Sequence, residues 1–455
     1  MSEESKSGFL ERTLKNLRHA WQGIAGSEYD ESAASLQPDL PETDAARLLE
    51  QMHACLETRG GEVSARARAA ALGRAYLALN KTGKVRFLTV LAENFDVDHG
   101  AVDAAVLSLQ QASDQAARLQ AEADLRKVLE PPRLKLLTQF NALPEGVKFL
   151  VDMRADLLGP AKRDTALKGL ERDLKDLLKT WFDVDFLELR RITWDTASAS
   201  LLEKLIAYEA VHAIESWDDL KNRLDSDRRC FAYFHPRMPD EPLIFVEVAL
   251  VDGLSGSVQA LLDADAPVID PAGANTAIFY SISNAQKGLA GISFGHFLIK
   301  RVVAMLSEEF KGLKTFSTLS PVPGFKDWLD KYLVADDEAG LLKPVNEAGW
   351  AEDDAKSDAL RDPLLRLCAR YLSQEKHSGD AERALNPVAH FHLSNGARME
   401  RLNWLGDTSD NGLGQGAGLM INYLYKLDDI EKNHEAYTST GKVAMSSGFK
   451  SLLKG

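Results

Sequence analysis

The fold is decided by residues 276–329, which read TAIFYSISNAQKGLAGISFGHFLIKRVVAMLSEEFKGLKTFSTLSPVPGFKDWL. Thr276–Ser283 is rich in β-branched and aromatic residues, which favour a half-buried strand. Ser293 is a suitable N-cap for a helix that begins near Phe294. The inward face of that helix is predicted at Phe294, Phe297, Leu298, Val302 and Met305. A second strand and a Ser-Pro turn follow, so the stretch predicts a strand–loop–helix–strand unit.

The loop before this helix carries Gly288, Gly291 and Gly295. Glycine lets the backbone turn sharply or approach a ligand closely. Because a helix N-terminus presents unpaired N–H groups and the positive end of the helix dipole, the loop is a candidate anion site. The pattern alone is weak evidence, since this stretch contains neither a G-x-G-x-x-G fingerprint nor a P-loop lysine.

The same stretch resembles malonyl-CoA decarboxylase, through AIFYSISNAQKGLAGISFGHFLIKRVV followed by FSTLSPVPGF. FVEVAL at Phe245–Leu250 and NPVAHFHLSNGA at Asn386–Ala397 resemble the same family, and the blocks keep the family's order. The resemblance implies an α+β protein, with an all-helical N-terminal bundle domain over residues 1–182 and an acetyltransferase-like (GNAT) α/β catalytic domain over residues 183–455. It also implies conversion of malonyl-CoA to acetyl-CoA and carbon dioxide, and a place in fatty acid metabolism.

The resemblance carries the family's catalytic serine onto Ser320 and its catalytic histidine onto His392. In the family the histidine donates the proton and the serine relays it. From the residues alone, Ser320 fits a turn before Pro321 better than a catalytic role, and a solvated strand position beside His390 is the alternative for His392. His390 is not carried over, because the family has asparagine-like residues there.

The resemblance also implies an acyl-CoA-binding segment, whose backbone N–H groups would meet the pyrophosphate. Its residues are Ala290, Gly291, Ile292, Ser293, Phe294, Gly295 and His296. Relatives can carry a glutamate at the position of Ser293, and a serine cannot supply that charge. Either the role is dispensable or another acid, such as Glu247, replaces it. Tyr425 matches a family active-site tyrosine that could donate a hydrogen bond to the substrate, although an ordinary half-buried aromatic residue fits equally well.

Decarboxylation of a 3-carboxy thioester makes few chemical demands. Loss of carbon dioxide leaves an enolate, which preorganised donors should stabilise in a site drier than water. A general acid must then protonate the α-carbon. Because the thioester carbonyl is itself the electron sink, we expect no metal and no cofactor.

Two other functions use the same features. An acyltransferase would move an acyl group from coenzyme A to an amine, but the sequence shows no obvious acceptor site. A non-catalytic acyl-CoA-sensing scaffold would have the helical domain as its working part. Release of carbon dioxide from malonyl-CoA indicates the decarboxylase, and a screen of amine acceptors with acetyl-CoA tests the transferase. Tight malonyl-CoA binding without carbon dioxide release favours the scaffold.

Composition bounds the partners and the compartment. The 455 residues carry a formal net charge of -14, which disfavours nonspecific binding to nucleic acid or anionic membranes. Binding of coenzyme A, a polyanion, must then depend on a local basic patch, for which the candidates are Lys287, Lys300, Arg301, Lys311 and Lys314. The three cysteines lack C-x-x-C spacing, so we expect neither a disulfide framework nor a zinc site. No targeting peptide or membrane span is evident, and a cytoplasmic protein is the expectation.

The N-terminal part reads as helices throughout. Predicted helices cover Phe9–Ile24, Ala65–Leu79, Val85–Phe95, Ala101–Leu129, Val147–Leu158 and Thr165–Trp181, with another capped at Thr43 or Asp44. The domain lacks clustered metal ligands, so we expect packing and homo-oligomerisation to be its role.

The second domain alternates strands and helices. Strands are predicted at Phe186–Trp194, Cys230–His235 and Pro242–Val251, and helices at Ser198–His212, Trp217–Leu224 and Pro363–Leu372. Glu247 is the only charge in its strand, and pairing with an arginine is favoured over a role as base. Asn386–Leu393 and Ala397–Trp404 are predicted as a hairpin around Asn395-Gly396. Asp336–Asp358 is expected to be an exposed excursion, Asp407–Gly418 a loop, and the chain from Glu431 onward peripheral.

Overall fold

The computed structural model describes residues 36–56, 61–182, 186–292, 298–335 and 337–454, together with Leu17, Arg18, Ala20, Trp21 and Ile24. The chain forms two compact units. The first comprises Met1–Leu187, His235–Asp240 and Gln286–Ser293. The second comprises Glu188–Phe234, Glu241–Ala285 and Phe294–Gly455. Gly288 and Gly291 of the predicted glycine loop therefore belong to the same unit as the helical residues.

The first unit is helical, as predicted. Its helices are α1 (Glu42–Leu56), α2 (Gly61–Ala78), α3 (Lys81–Asn94), α4 (His99–Gln111), α5 (Gln115–Val128), α6 (Pro132–Asn141), α7 (Gly146–Leu157) and α8 (Thr165–Trp181). Helix α8 has the predicted bounds, because Asp164 caps its first turn and Leu167, Leu170, Leu174 and Leu178 form its buried stripe. Most of the first predicted helix, Phe9–Ile24, lies outside the described residues.

The single long helix predicted over Ala101–Leu129 is wrong. Ala112 is extended and ends α4. Asp114 then caps α5, and its Oδ1 accepts a hydrogen bond from the Ala117 N–H at 2.8 Å. A new N-cap inside an otherwise helical pattern therefore divides it into two packed helices.

The second unit is built on a mixed sheet. Its strands are β1 (Glu188–Ile192), β2 (Arg228–His235), β3 (Met238–Val251), β4 (Thr276–Asn284), β5 (Thr315–Thr318), β6 (Ser320–Pro321), β9 (Arg398–Asn403) and β10 (Met420–Leu424), in the order β1-β2-β3-β4-β5-β10-β6 with β9 beside β10. Strands β4 and β5 are parallel, with Thr276 opposite Thr315. Strands β7 (Lys376–His377) and β8 (Asp380–Ala384) form a separate pair. The strands predicted at both ends of the opening stretch and upstream of it are confirmed.

Helices surround this sheet. They are α9 (Ala199–Tyr208), α10 (Trp217–Arg223), α11 (Val258–Leu262), α12 (Leu298–Glu309), α13 (Phe325–Ala335), α14 (Asp354–Ser373), α15 (Pro387–Ser394), α16 (Asp410–Gly416), α17 (Ile430–Thr440) and α18 (Ser447–Ser451). A β4–α12–β5 connection is the expected crossover between parallel strands. Leu298 and Val302 of α12 are buried as predicted, whereas Met305 is 39% exposed. The predicted start of this helix, including Ser293, lies outside the described residues.

The predicted hairpin around Asn395-Gly396 is wrong in its first half, which is helix α15. Asn386 caps that helix: its Oδ1 accepts a hydrogen bond from the Ala389 N–H at 2.8 Å. Pro387 occupies the first helical position, where its missing N–H costs nothing. Gly396, at φ +81°, follows the helix in the left-handed conformation typical of a C-terminal stop. The returning segment is strand β9, as predicted.

Three segments are more ordered than the sequence predicts. Val345 and Trp350 are buried within the expected excursion, where apolar side chains fold the acidic segment back onto the unit. The expected glycine-rich loop contains α16, capped by Ser409. The expected peripheral tail contains α17 and α18, which bury Tyr437 and Phe449. Apolar residues spaced too sparsely to show a period account for all three differences.

Candidate active site

Ser320 lies on the short strand β6, which pairs with β10. Successive strand residues face opposite sides, so Thr318 and Ser320 share one face while the buried Leu319 packs on the other. The Ser320 hydroxyl donates a hydrogen bond to Thr318 Oγ1 at 2.8 Å. The Tyr423 N–H donates to the same oxygen at 3.1 Å. The serine is therefore held by a second hydroxyl that is itself fixed to β10.

His392 comes to Ser320 from helix α15. Its Nε2 lies 3.1 Å from Ser320 Oγ, so the structure brings together the two residues predicted as a pair. The Asn386 Nδ2 donates to the Pro323 carbonyl at 2.7 Å, which ties the start of α15 to the turn after Ser320. His390 lies two residues earlier, about 200° around the helix. It contacts Tyr437 instead, at 3.0 Å.

Two tyrosines of β10 and its continuation fix the imidazole. The ring of His392 stacks on Tyr423, with 4.5 Å between ring centroids and an interplanar angle of 25°. The hydroxyl of Tyr425 lies 2.8 Å from His392 Nδ1. Tyr425 is therefore a partner of the imidazole, and its predicted direct contact with substrate stays a prediction.

The hydrogen bonds assign the proton positions. The Ser320 proton goes to Thr318, so Ser320 Oγ accepts from an Nε2–H of His392. Nδ1 then accepts from the Tyr425 hydroxyl. Each group in the chain Tyr425–His392–Ser320–Thr318 thus donates to the next.

Burial keeps this chain neutral. It lowers the pKa of His392 to about 3, because the cation loses its hydration in the site. Burial also raises the pKa of the Tyr425 phenol well above its ordinary value. At neutral pH the imidazole and the phenol therefore both keep their uncharged forms.

The pair opens onto an apolar cavity of about 260 Å³. Besides Ser320 and His392, side chains of β3, β4 and α15 line it, including Ile244, Phe279, Ile282 and Phe391. The register of β4 against β3 shifts here: Glu247 faces Ser281 and Val248 faces Phe279, so Tyr280 is an extra residue, a β-bulge. Tyr280 also lines the cavity, so the irregular backbone of the bulge is part of its wall.

The predicted acyl-CoA segment is described only in part. Ala290, Gly291 and Ile292 form a turn after a short 3-10 helix, Lys287–Leu289, and Gly291 has φ +72°. Ser293, Phe294, Gly295 and His296 lie outside the described residues, so the consequence of the serine at 293 stays open.

Glu247 has the predicted arginine partner. Its carboxylate lies 3.2 Å from Arg223, and both side chains are buried. Burial raises the pKa of Glu247 to about 8, against the opposing effect of Arg223. Glu247 is not among the residues that line the described cavity.

Two residues of the predicted basic patch are engaged with other side chains. Lys300 pairs with Glu431 at 2.8 Å, and the Arg301 guanidinium lies over the ring of Tyr233. Lys314 lines a separate cavity of about 590 Å³ that also includes Glu400 and Tyr425. All three cysteines are buried and free, as expected of a chain without a disulfide framework.

Sequence reasoning missed Thr318 and Asn386. Thr318 shows no signal other than its i, i+2 spacing from Ser320, which defines one strand face. Asn386 did carry a signal, because an Asn-Pro pair is a common helix start.

No helix among the described residues has the length and apolar content needed to span a membrane.

A helical unit combined with a mixed-sheet unit that carries a buried Ser–His pair makes the chain a two-unit protein of the α+β class. Family models narrow this class. The model of the malonyl-CoA decarboxylase N-terminal domain matches residues 95–182, and that of the C-terminal domain matches residues 185–455. The chain belongs to the malonyl-CoA decarboxylase family, and it is therefore a carboxy-lyase.

Individual relatives agree with this assignment. The mitochondrial malonyl-CoA decarboxylase of Mus musculus is 38% identical over 95% of this chain and 92% of its own length. The crystal structure of malonyl-CoA decarboxylase from Rhodopseudomonas palustris has a TM-score of 0.85 and 42% identity, over 90% of this chain and 99% of that one. The structure from Agrobacterium vitis has a TM-score of 0.82 and 42% identity, over 89% and 99% of the two chains. Of the three functions considered from the sequence, the malonyl-CoA decarboxylase is confirmed.

Proposed function

We propose that the protein decarboxylates malonyl-CoA to acetyl-CoA and carbon dioxide, with Ser320 and His392 protonating the thioester enolate. The observation that carries the proposal is the 3.1 Å contact between Ser320 Oγ and His392 Nε2 at the wall of an apolar cavity. An apolar wall disfavours the hydrated, charged ground state of the carboxylate.

The bulge in β4 supplies a second element of the mechanism. Phe279 and Tyr280 line the cavity where the register shifts, and a bulge leaves main-chain groups outside the ladder. We assign a main-chain N–H of this bulge as the donor to the thioester oxygen. Such a donor strengthens its hydrogen bond as negative charge develops on that oxygen.

The proton balance follows from the hydrogen-bond chain. When the bond to the carboxyl carbon breaks, its electron pair moves into the enolate and carbon dioxide leaves. The Ser320 hydroxyl turns from Thr318 towards the α-carbon and gives it the proton as the electrons return, and Ser320 takes the Nε2 proton of His392. Loss of the Nε2 proton leaves His392 as an imidazolate, which Tyr425 stabilises by its hydrogen bond to Nδ1. Solvent restores the proton after carbon dioxide has left, so each turnover consumes one proton.

The chemistry asks for no other group. The thioester carbonyl accepts the electrons, so we propose a reaction independent of metal and cofactor. Malonyl-CoA and acetyl-CoA are the proposed ligands, and the cytoplasm and fatty acid metabolism are the proposed setting. Nucleic acid is not a proposed partner.

We also propose a homo-oligomer assembled through the helical unit. The α4–α5 pair supports this proposal, because α4 has no fully buried residue and α5 has only Ala121. Leu107, Leu119 and Leu129 are 55%, 60% and 50% exposed on the pair. These exposed leucines make the helix pair the interface that we propose.

Incubation of the pure protein with malonyl-CoA labelled in the carboxyl carbon tests the function. We expect labelled carbon dioxide and a stoichiometric amount of acetyl-CoA, with the same rate before and after treatment with EDTA. A parallel incubation with acetyl-CoA and a panel of amines tests acyl transfer. Acylated amine without carbon dioxide release would overturn the proposal in favour of a transferase.

A further inference from the structure

We propose that the helical unit helps to bind the phosphates of the acyl-CoA substrate. Lys175 of α8 binds a phosphate oxygen, and Arg154 of α7 positions the binding loop. The proposal rests on the proposed function, since it assumes an acyl-CoA ligand. It adds a role for the helical unit beyond packing and assembly.

Arg154 donates hydrogen bonds to two carbonyl groups of the loop that contains Gly288 and Gly291. Its Nη1 donates to the Gly288 carbonyl at 2.5 Å, and its Nη2 donates to the Ala290 carbonyl at 2.9 Å. Glu171 of α8 accepts from Arg154 Nη2 at 2.6 Å, which fixes the guanidinium. Arg154 is 2% exposed, so the loop is tied to the helices through a buried cation rather than through solvent-exposed contacts.

This attachment orients one peptide group of the loop. The C=O and N–H of a trans peptide point in opposite directions. Because the Ala290 carbonyl points at Arg154, the Gly291 N–H points away from it. The N–H groups of Ala290 and Ile292 are used within the turn, at 3.1 and 3.0 Å, but the Gly291 N–H has no acceptor among the described residues. Gly291 thus offers a free donor on the exposed side of the loop.

Close packing fixes the distance between the loop and helix α7. A Cβ on Gly288 would stand 1.7 Å from the Val151 carbonyl oxygen, far inside van der Waals contact. Only glycine permits this approach. The position of Gly291 therefore follows from the packing of the helical unit.

Lys175 brings a positive charge to the same peptide. Its Nζ lies 3.4 Å from the position that a Cβ on Gly291 would occupy. Lys175 follows Glu171 by one turn of α8, on the same helix face. Within the described part of the chain, no carboxylate lies within 4 Å of this ammonium, in contrast to Lys84, Lys148 and Lys204, which all pair with acids.

An ammonium beside a free main-chain N–H is the combination that binds a phosphate oxygen. The diphosphate of coenzyme A presents such oxygens, and the chain's net charge of -14 makes a local cation necessary. Of the predicted basic patch, Lys300 and Arg301 are already engaged with other side chains.

The test compares Lys175→Ala with wild type on two substrates: malonyl-CoA, and a malonyl thioester of pantetheine, which lacks the diphosphate and the nucleotide. We expect Lys175→Ala to raise KM for malonyl-CoA about tenfold, the effect of losing one charge-assisted hydrogen bond, with kcat nearly unchanged. With the pantetheine thioester the two proteins should have the same KM. Lys175→Arg, which keeps the charge, should restore most of the affinity.

Lys179 provides the matched control, since it lies one turn further along α8 and is exposed. Lys179→Ala should behave as wild type. The positioning role is tested with Arg154→Lys, which cannot bridge two carbonyls and should raise KM, against Arg133→Lys, an equally buried arginine that bonds to Ala92, Asp96 and Asp173.

An unchanged KM for malonyl-CoA in Lys175→Ala would overturn the proposal, as would an equal rise for both substrates. If the wild-type protein released no carbon dioxide, the proposed function would fail instead. Calorimetric binding of coenzyme A to wild type and Lys175→Ala would still decide the role of Lys175: equal affinities refute it, and an affinity about tenfold weaker supports it.

Discussion

A neutral imidazole suits the proposed proton transfer. His392 is 3% exposed, and its two nitrogens contact Tyr425 and Ser320. An enolate is a strong base, so it can take a proton from an uncharged donor. The low pKa of His392 is then no obstacle, because the reaction does not need an imidazolium.

The first prediction concerns pH. Because the pKa of His392 is about 3, the neutral imidazole is the main form at every pH above that value. We expect that kcat does not decrease between about pH 6 and about pH 8, where an ordinary histidine would lose its proton. Steady-state kinetics over this range give the answer. A decrease approaching tenfold per pH unit would show that an imidazolium is the acid.

The hydroxyl of Tyr425 gives the second prediction. Tyr425→Phe removes the donor to His392 Nδ1, so the imidazole loses both its orientation and its support during proton transfer. We expect kcat to fall about tenfold with KM little changed. Tyr423→Phe is the matched control, because it keeps the ring that stacks on His392 and removes a hydroxyl with no partner among the described residues. Equal kcat values for the two variants would argue against the role of Tyr425.

At the scale of elements, periodicity and capping residues predict most of the fold. Helix α8 follows its prediction because its leucines recur at helical spacing, and strands β2 to β4 follow theirs because they are short apolar runs rich in β-branched and aromatic residues. Helix α15 was missed because the alternation of Val388, His390 and His392 also fits a strand. The capping signals of Asn386, Pro387 and Gly396 are the stronger physical indicators, and the segment between them forms a helix.

The candidate site was predictable only through the family resemblance. Ser320 and His392 are 72 positions apart, and no local pattern indicates that β6 and α15 meet. Tertiary packing and strand register place Thr318, Asn386 and the β4 bulge at the site. Periodicity in the sequence encodes neither the packing nor the register. The association of Gly288 and Gly291 with the helical unit is of the same kind, since it depends on the close approach of Gly288 to Val151 and on the hydrogen bonds of Arg154.

The third prediction tests that glycine. Gly288→Ala places a methyl group 1.7 Å from the Val151 carbonyl oxygen, so either the loop or α7 must move. We expect a loss of roughly 1–3 kcal/mol in the free energy of unfolding and a higher KM for malonyl-CoA. Gly273→Ala is the control, since a Cβ there would meet no atom within 4 Å. Chemical denaturation and steady-state kinetics measure both effects, and identical behaviour of the two variants would contradict the packing argument.

For the whole molecule, the helical unit has two proposed tasks on different surfaces. Helices α7 and α8 hold the glycine loop, whereas the α4–α5 pair presents exposed leucines. The separation allows assembly and substrate binding to be altered independently.

The fourth prediction concerns assembly. Leu119→Glu puts a charge on the exposed apolar face of the α4–α5 pair, where Leu119 is 60% exposed. Burying that charge in an interface is unfavourable, so we expect a smaller assembly by analytical ultracentrifugation. Val268→Glu, at a similarly exposed residue of the second unit, should leave the assembly as in wild type. A sedimentation coefficient unchanged by Leu119→Glu would exclude this face as the interface.

The central claim is that Ser320 and His392 act together on one proton. Its most direct test is the initial rate of labelled carbon dioxide release from malonyl-CoA by wild type, Ser320→Ala, His392→Asn and the double variant, each confirmed as folded by its thermal unfolding midpoint. We predict that each single substitution lowers kcat by ~10²–10⁴ and that the double variant is no slower than the slower single variant. Near-wild-type turnover in both single variants, or losses that multiply in the double variant, would contradict the claim.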